Sequence, residues 1–547
     1  MVFTLNDVLT SSHFWAIIAL MAQTIPAKSD RAELVSRNPV TGAEIGRAPI
    51  ATPEEVARAV GRAREAQRSW SQASFRERGR VVMKARKIIL KELENIALLI
   101  SQETGKPIAE AIAMELTPTL DLMQYFARHT GNLLRRERIS IGQYVLMGRS
   151  SYIFYKPLGV VGIISPWNFP WATPLDEVVI ALMAGNSVVL KPSELTPLTG
   201  LQIKEVFRRA GLPDGLLEVV TGDGSIGAAL VAAGVDKIMF TGSVATGKRV
   251  AEAAAKYLTP VVLELGGKDP MIVLADADIE SAARAAVWGA FANCGQACAA
   301  VERCYVDESI APQFTDAVVK ETKRLRQNVG AEKDADIGSM TSERQLRIVE
   351  DHVLDARTKG AIVLTGGQRP PSLTGPFYEP TVLANVDHEM EVMRDETFGP
   401  VLPIMTFKTD DEAVRLANDT IYGLTASVFT KDIARGKKLA ERIDAGTVMV
   451  NEVLYTHGIA QTPWGGVKQS GIGRTHGRAG LLEMVSPQHI HLNRLSFIPD
   501  LWWFNYTPQA GRLFRGLARR FASGSILQTA LLLPQMIRRW LDRRGDT

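Results

Sequence analysis

The sequence has very few cysteines. Only three occur among 547 residues, Cys294, Cys298 and Cys304, and all lie within one short segment. A disulfide framework for a chain of this size would not produce that distribution, so a reducing compartment is expected. The spacing C-x3-C-x5-C contains no CxxC pair and no nearby histidine, which disfavours a structural zinc site. The segment predicts neither disulfides nor a metal, and one thiol remains a candidate for chemistry.

The sequence also lacks a long apolar run and a strong net charge. The N-terminal run at 14–21 is less than half of the roughly 20 residues that a transmembrane helix needs. No Lys or Arg precedes it, which disfavours a secretory signal peptide. Met21 is as good a candidate for the initiator methionine as Met1. A net charge of +4 is too weak to indicate nucleic acid. We therefore expect a cytoplasmic protein without a nucleic-acid partner, with 1–34 as a leader.

The chain is too long for a single hydrophobic core. Five short apolar runs alternate with helical segments and end in loop residues, which predicts a parallel, doubly wound α/β sheet. These runs are GVVGIISP, NSVVLKPSE, GLLEVVTGD, VDKIMFTGS and TPVVLELGG. A second alternating series begins near residue 267 and predicts a second α/β lobe. Because ligands of such sheets bind beyond the carboxyl ends of the strands, we expect a site in the loops that follow the five runs.

Two segments fit neither lobe. Residues 138–156 alternate in the manner of strands and predict a hairpin or edge ribbon of the kind that often serves oligomer contacts. Residues 496–547 combine Trp502, Trp503 and Trp540 with many arginines and few acids, which is typical of an amphipathic segment that lies on a membrane surface. The alternative is that this tail packs on the protein or on a partner subunit.

Three side chains are candidates for chemistry. Cys298 lies in the small-residue loop FANCGQACAAVER, although an isolated cysteine is more often buried and inert. In LELGG, Glu264 lies at the end of an apolar strand, just before two glycines, and a carboxylate there is costly unless it is paired or has a catalytic role. Asn168 lies between Trp167 and Phe169, and a rigidly held neutral donor suits an oxyanion hole. A Cys/His hydrolase is the rival interpretation, but no histidine lies in a motif that supports it.

Together, several strings resemble the aldehyde dehydrogenase superfamily and occur in that family's order over roughly residues 35 to 490. They are ISPWNFP, KPSELTP, FTGSVATGK, LELGGK, NCGQAC, ETFGPVLP, NDTIYGLTASVFTKD and PWGGVKQSGIGR. The resemblance implies a Rossmann-like dinucleotide-binding domain over 35–266, with the ribbon at about 138–156, and an α/β catalytic domain over 267–455. It also implies that 456–495 return to the cofactor and oligomerisation region, and that the protein is a homodimer or homotetramer. A basic amphipathic tail would follow over 496–547.

The resemblance assigns a role to each candidate. Cys298 would attack the aldehyde carbonyl, and Asn168 with the Cys298 backbone N–H would hold the oxyanion. Hydride would pass to the nicotinamide, and Glu264 would activate the water that hydrolyses the thioester. The presence of Glu264 argues against an acylating enzyme. The presence of Cys298, Asn168 and Glu264 together argues against a catalytically inactive scaffold protein with the same fold.

The segment FTGSVATGKR satisfies most of the phosphate-loop pattern, but Arg249 occupies the place of the required hydroxyl, which disfavours a magnesium nucleotide site. The resemblance instead makes Gly242 and Ser243 the turn that opens a helix toward a pyrophosphate. Glu194 should accept hydrogen bonds from the adenosine ribose and repel a 2'-phosphate, so we expect NAD, with NADP as the alternative. The implied cofactor residues are Ile164, Trp167, Lys191, Glu194, Gly224, Gly242, Ser243, Leu265, Glu396 and Phe398.

One position departs from the family pattern. Glu177 stands where much of the family has a lysine, which puts the local electrostatics and any role in proton relay in doubt. Cys294 is a second thiol near the nucleophile, and we interpret it as a bystander packed in the loop.

The substrate side is expected to consist of Trp171, Thr173, Ala297, Ala299 and residues 452–464. These groups favour an apolar, aromatic or long-chain aldehyde. A semialdehyde of the succinate type is the alternative, although these segments show no arginine to bind its carboxylate. A membrane-bound tail would suit aldehydes that partition into lipid.

Overall fold

The computed structural model describes residues 32–330, 334–497, 500–504, 506–524 and 526–542. Most of the predicted leader, with the apolar run at 14–21 and both candidate start residues, lies outside the described residues. The chain divides into two compact units. The larger contains the chain up to Leu133 together with Pro157–Ser486, and the smaller contains Leu134–Lys156 and the chain from Pro487 onward.

The first sheet of the larger unit has six strands, and it confirms the five predicted apolar runs as mutually parallel neighbours. In spatial order the strands are Gly471–Ile472, Val261–Glu264, Lys237–Thr241, Val160–Ile164, Ser187–Lys191 and Leu217–Val219. The two strands Val160–Ile164 and Ser187–Lys191 are buried along their whole length, as expected when helices cover both faces. The short strand Gly471–Ile472 pairs antiparallel with the end of Val261–Glu264, so Gly471 lies opposite Glu264.

The second sheet has seven strands and its own apolar core. In spatial order they are Ile362–Thr365, Thr381–Ala384, Val401–Phe407, Val301–Asp307, Asp269–Val273, Thr425–Phe429 and Thr447–Val450. All neighbours are parallel except the first pair. The sequence does not predict Asp269–Val273, because its Asp-Pro start is a poor strand former and follows the glycine loop directly. This strand nevertheless lies near the middle of the sheet.

Helices connect the strands of both sheets. They are Pro53–Trp70, Phe75–Lys91, Leu93–Thr104, Ile108–Glu110, Thr117–Leu133, Ala172–Ala184, Pro197–Arg209, Gly224–Ala232, Val244–Ala255, Ile279–Phe291, Ala311–Thr322, Glu343–Thr358, Glu391–Arg394, Asp410–Asn418, Ile433–Ala440 and Gly477–Leu482. A π-helical turn spans Ala111–Leu116, and single 3-10 turns span Ala292–Gly295, Tyr455–Gly458 and Lys468–Ser470. The strands Glu33–Arg37 and Glu44–Pro49 form a separate antiparallel pair.

The smaller unit contains a three-stranded sheet in the order Val485–Asn493, Arg149–Pro157, Glu137–Ile139. The predicted hairpin is confirmed, because Glu137–Ile139 pairs antiparallel with Arg149–Pro157. A 3-10 turn over Gly142–Met147 replaces the middle of the predicted ribbon. Gly142 and Gly148 on either side have φ of +56° and +70°, where glycine carries no steric penalty.

The tail of the smaller unit folds into two helices, Pro508–Ser523 and Ile526–Asp542. Leu513, Leu517 and Leu532 form a small apolar core between them. Among the described residues, none of the helices combines the length and the apolarity that a membrane span requires.

Candidate active site

The loop that carries Cys298 turns sharply after the helix Ile279–Phe291. Asn293 and Cys294 have φ of +53° and +56°, which non-glycine residues rarely adopt. Hydrogen bonds hold this turn: the Asn293 backbone N–H donates to Glu110 Oε1 at 2.8 Å, and the Gln296 side chain donates to the Asn293 carbonyl oxygen at 3.0 Å. Cys298 is half-buried at the end of the turn, whereas Cys294 is buried.

Asn168 lies against the same loop. Its Nδ2 donates to the Gln296 carbonyl oxygen at 3.0 Å, and its own carbonyl oxygen accepts from Asn293 Nδ2 at 3.0 Å and from Lys106 Nζ at 2.8 Å. An amide nitrogen carries two hydrogens, so the other Nδ2 hydrogen can serve a substrate oxygen. The Asn168 side chain is therefore anchored two residues before Cys298, and its backbone carbonyl is held by Asn293 and Lys106.

Glu264 ends its strand and is buried. Neither carboxyl oxygen has a hydrogen-bond partner among the described residues. Burial raises the pKa of Glu264 well above its usual value, the nearby Glu177 carboxyl raises it further, and Arg474 opposes the shift. Three residues later, Gly267 lies so close to the Cys298 carbonyl oxygen that a Cβ there would collide with it. The LELGG segment and the Cys298 loop are thus in direct contact.

The surroundings of the Cys298 thiol are apolar or acidic. Burial raises the pKa of this thiol, and Asp269, Glu396 and Glu264 raise it further. The thiol is therefore protonated at rest and needs a base before it can attack. Cys298 packs against one apolar cluster, which together with its other neighbours consists of Ala292, Ala297, Ala299, Ala300, Leu424, Leu454, Trp464, Met114 and Phe169. We call this set the apolar wall.

Glu177 is buried on the helix Ala172–Ala184. Its Oε2 has no hydrogen-bond partner within the described ranges, and burial together with Asp176 raises its pKa well above the usual value. The departure from the family's lysine therefore adds an acid next to Glu264, not a cation.

All of the residues predicted to bind the cofactor except Glu396 and Phe398 lie at or beyond the carboxyl ends of the first sheet's strands. Lys191 Nζ is 3.3 Å from Glu194 Oε2, and its side chain is 5% exposed against 48% for Glu194. Ser243 caps the helix Val244–Ala255 by accepting from the Thr246 N–H and is exposed. Gly224 begins the helix Gly224–Ala232, and a Cβ there would meet open space. Two helix N-termini therefore open at one sheet edge, which suits a phosphate.

Two unpaired hydroxyls at this edge also fit a polar ligand. Ser165 follows the strand Val160–Ile164 and Thr241 ends Lys237–Thr241, and both Oγ atoms are buried without a hydrogen-bond partner within the described part of the chain. Buried polar atoms are normally paired. Residues at this edge therefore fit a dinucleotide.

Four further predicted cofactor residues pack in two groups. Ile164 and Leu265 belong to one apolar cluster, and Leu265 packs where a Cβ on Gly247 would clash. The ring centroids of Trp167 and Phe398 lie 5.5 Å apart, edge to face.

Glu396 lies on the loop that also carries Phe398. Its Oε1 accepts from the Gly267 N–H at 3.2 Å. Burial raises its pKa to about 8, and the neighbouring Glu302 adds to the shift. Glu396 therefore lies against the glycine pair that follows Glu264.

Two buried ion pairs that the sequence does not predict hold these segments. Lys106 Nζ lies 2.6 Å from Glu115 Oε1, and Glu115 Oε2 accepts from the backbone N–H groups of Trp171 and Ala172. Lys268 Nζ lies 2.5 Å from Glu302 Oε2. Glu302 also accepts from the backbone N–H groups of Thr397 and Phe398. The first pair supports the Asn168 loop, and the second supports the loop of Glu396.

Comparison with known proteins identifies the family. The family model described as "Aldehyde dehydrogenase family" matches residues 25–490. The chain belongs to this family. It is an NAD(P)-dependent aldehyde dehydrogenase, so the predicted enzyme class, the α/β fold class and the use of NAD or NADP are confirmed.

Among curated relatives, 4,4'-diapolycopene aldehyde oxidase from Methylomonas sp is 40% identical over 88% of this chain and 89% of its own length. A Mycolicibacterium smegmatis protein provisionally named succinate-semialdehyde dehydrogenase [NADP(+)] is 40% identical over 83% and 88%. Among solved structures, the NAD+ complex of an aldehyde dehydrogenase from Bacillus cereus has a TM-score of 0.81 at 34% identity, covering 85% of this chain and 94% of its own.

Proposed function

We propose that the protein oxidises an apolar aldehyde to its carboxylate, with Cys298 as nucleophile, Asn168 as oxyanion donor and Glu264 as general base. The contact of two segments with the Cys298 loop supports this assignment: Asn168 is bonded to Gln296, and Gly267 packs on the Cys298 carbonyl. The loop of Asn168 and the loop after Glu264 therefore both contact the loop of Cys298.

The first half of the reaction uses the thiol and the amide. Before the substrate closes the site, the Cys298 thiol releases its proton to a base from solvent, and the thiolate sulfur then bonds to the aldehyde carbon. The carbonyl oxygen becomes an oxyanion that accepts hydrogen bonds from Asn168 Nδ2 and the Cys298 N–H, and removal of one such donor typically costs about 100-fold to 1,000-fold in rate. A dinucleotide held by Lys191, Glu194 and Ser243 would supply the hydride acceptor for this carbon. The apolar wall excludes water during this step.

In the second half, Glu264 in its ionised form takes a proton from water, whose oxygen attacks the thioester carbon and releases the carboxylate and the Cys298 thiolate. A positioned general base typically contributes about 100-fold to 10,000-fold. Because the Glu264 oxygens have no hydrogen-bond partner among the described residues, they are available to a water molecule.

The apolar wall favours a long apolar or aromatic aldehyde over a charged one. Trp464 and Leu454 belong to it, and Phe169, Met114 and Cys298 all pack against it. One relative is named for the aldehyde of an apolar substrate, 4,4'-diapolycopene, and another for succinate semialdehyde. Burial of the free carboxylate of a semialdehyde against such a wall would cost free energy. This favours an apolar aldehyde over succinate semialdehyde.

An aldehyde panel tests the substrate and the cofactor together. Decanal, benzaldehyde, acetaldehyde and succinate semialdehyde are each assayed with NAD and with NADP by absorbance of the reduced nicotinamide, without an added acyl acceptor. We expect the highest kcat/KM for decanal or benzaldehyde, and no turnover by Cys298→Ser. A higher kcat/KM for succinate semialdehyde would replace the apolar class with the semialdehyde class. A requirement for coenzyme A would instead show an acylating enzyme.

We propose further that the tail lies on anionic membranes. Trp503 and Phe504 are 57% and 85% exposed, and the adjoining helix Pro508–Ser523 carries four arginines and no acid. The pair of exposed aromatics beside a basic helix matches the chemistry of an interfacial segment. Flotation with phosphatidylserine vesicles should recover the protein, and Trp503→Ser with Phe504→Ser should abolish recovery. Equal flotation of parent and variant would reject the membrane role.

The hairpin of the smaller unit remains our candidate for the dimer or tetramer contact. Ile139 on its first strand is exposed. Light scattering should give a smaller mass for Ile139→Asp than for the parent, and an unchanged mass would move the contact elsewhere.

A further inference from the structure

We propose that Asp176, His457 and His476 form a binding site for one divalent transition-metal ion of the Zn²⁺ type. One ligand atom from each residue lies within 4.8 Å of the others. Asp176 Oδ2 and His476 Nε2 are 3.3 Å apart. The sequence does not predict this site, because Asp176 and His476 are separated by 300 positions.

Three separate elements supply the ligands. Asp176 lies in the helix Ala172–Ala184, His457 lies in the turn Tyr455–Gly458, and His476 immediately precedes the helix Gly477–Leu482. The two imidazole rings are 4.8 Å apart, edge to face. His476 has φ of +57°, a conformation that is strained for a non-glycine residue. The fold therefore holds this imidazole next to Asp176 despite a backbone penalty.

The polar atoms of the cluster are buried and incompletely satisfied. Asp176 is 3% exposed and His476 is 1% exposed. Asp176 Oδ1 and His476 Nδ1 have no hydrogen-bond partner among the residues that the structure describes. Leaving a buried polar atom unpaired destabilises the fold. A bound cation with its own water ligand can pair with the carboxylate and offers a hydrogen-bond donor to these atoms.

The charge around the cluster also favours a cation. The acids Glu115 and Glu177 face Asp176, and Glu115 is already paired with Lys106. Within the described ranges, His476 is the sole ion-pair partner of Asp176. A buried carboxylate without a cationic partner is costly. A divalent ion would supply the missing positive charge.

The donor set selects the class of metal. Two imidazoles and one carboxylate suit Zn²⁺, which in open sites takes three protein ligands and a water, whereas a hard ion such as Mg²⁺ prefers oxygen ligands alone. Zn–N bonds of about 2.0 to 2.1 Å require the ligand atoms to approach by about 1 Å. His457 can supply this movement, because it is half-buried in a single turn.

Metal binding would also act on the apolar wall. The His457 ring lies 5.0 Å from the Trp464 ring, edge to face, and Trp464 belongs to the wall around Cys298. An ion that fixes His457 would restrict Trp464. Metal binding, and the higher melting temperature that follows from it, are expected even if the proposed catalytic roles are wrong. The metal-site proposal and the proposed function can therefore fail separately.

The test uses the full chain with Cys298→Ser, which removes the half-exposed thiol as a competing ligand. The chelated protein is mixed with Zn²⁺ or Co²⁺, passed through gel filtration and analysed for bound metal and for melting temperature. We expect one ion per chain, a higher melting temperature and the visible absorption of nitrogen- and oxygen-ligated Co²⁺. Failure to retain a stoichiometric ion would overturn the proposal.

Matched variants locate the ion. Asp176→Asn, His457→Gln and His476→Gln should each weaken Zn²⁺ binding at least 100-fold, whereas the control His129→Gln, at an exposed histidine, should bind as the parent does. His457→Gln is the decisive variant if the buried positions do not fold, because His457 lies in a half-buried turn. Unchanged binding by His457→Gln, with a sulfur-to-cobalt absorption band, would assign the ion to a remaining thiol and reject this site.

Discussion

Lys106 donates a hydrogen bond from Nζ to the backbone carbonyl oxygen of Asn168, at 2.8 Å. The same ammonium lies 2.6 Å from Glu115 Oε1 and 4.3 Å from the centroid of the Phe169 ring. Both partners of the ion pair are essentially without solvent exposure, so the contact is not weakened by water. Lys106 therefore fixes the loop that presents the Asn168 amide, and it acts on the reaction only through that loop.

Lys106→Met should lower kcat by about 10-fold to 100-fold with little change in KM, because misplacement of an oxyanion donor weakens transition-state binding. It should also lower the free energy of unfolding by about 3 to 5 kcal/mol, since Glu115 is left buried without its partner. Steady-state kinetics and urea unfolding measure the two effects. Lys106→Met with Glu115→Gln should recover much of the stability but not kcat. Recovery of both would show a purely structural role.

Cys298→Ser should reduce turnover more than about 1,000-fold, as loss of a nucleophile does, whereas Cys294→Ser should stay within threefold of the parent. The structure distinguishes the two thiols, because Cys298 is half-buried and Cys294 is buried. Alkylation by iodoacetamide followed by peptide mass spectrometry should modify Cys298 first. Equal loss of activity in both variants would make Cys294 part of the chemistry.

Glu264→Gln should separate the two halves of the reaction. Hydride transfer does not need the carboxylate, so one equivalent of reduced nicotinamide per active site should form quickly. Hydrolysis should then slow by about 100-fold to 10,000-fold, and the acyl group should be found on Cys298 by mass spectrometry. Absence of both the burst and the acyl adduct would place Glu264 in the first step.

Local motifs predict much of this site, whereas the ion pairs that hold it are not local. The strand ends at Glu264 and Lys191 can be predicted because apolar runs and loop residues are adjacent in sequence. Lys106 and Asn168 are 62 positions apart, so no spacing rule relates them. The ribbon was predicted as continuous alternation, but the strand pattern does not reveal the 3-10 turn between Gly142 and Met147. The pairing of side chains that are distant in sequence and the geometry of turns depend on tertiary structure, which the periodicity of the sequence does not encode.

Asp269→Asn should change how stability depends on pH. Asp269 accepts from Thr425 Oγ1 at 2.7 Å, yet burial raises its pKa to about 8 from about 3.9 in an unfolded chain. Between these values the unfolded chain has released a proton that the folded protein retains. This group therefore stabilises the fold fully below about pH 4 and loses about 1.4 kcal/mol of that contribution per pH unit as pH rises toward 8.

The melting temperature of the parent, measured from pH 4 to pH 9, should therefore fall more steeply than that of Asp269→Asn over this window. Glu252→Gln, at an exposed position, serves as the control with the slope of the parent. Parallel curves for the parent and Asp269→Asn would mean that Asp269 is ionised in the folded protein.

Glu194→Gln should shift the cofactor preference toward NADP. Glu194 is half-exposed at the end of a buried strand and pairs with the buried Lys191. Its carboxylate would lie near the adenosine ribose and repel a 2'-phosphate, and its removal would free the Lys191 ammonium to attract one. We expect the ratio of kcat/KM for NADP to that for NAD to rise at least 10-fold, with unchanged kcat on saturating NAD. If Glu194→Gln and the exposed control Glu252→Gln give the same ratio as the parent, the ribose lies elsewhere on this sheet edge, and Lys191 has a structural role.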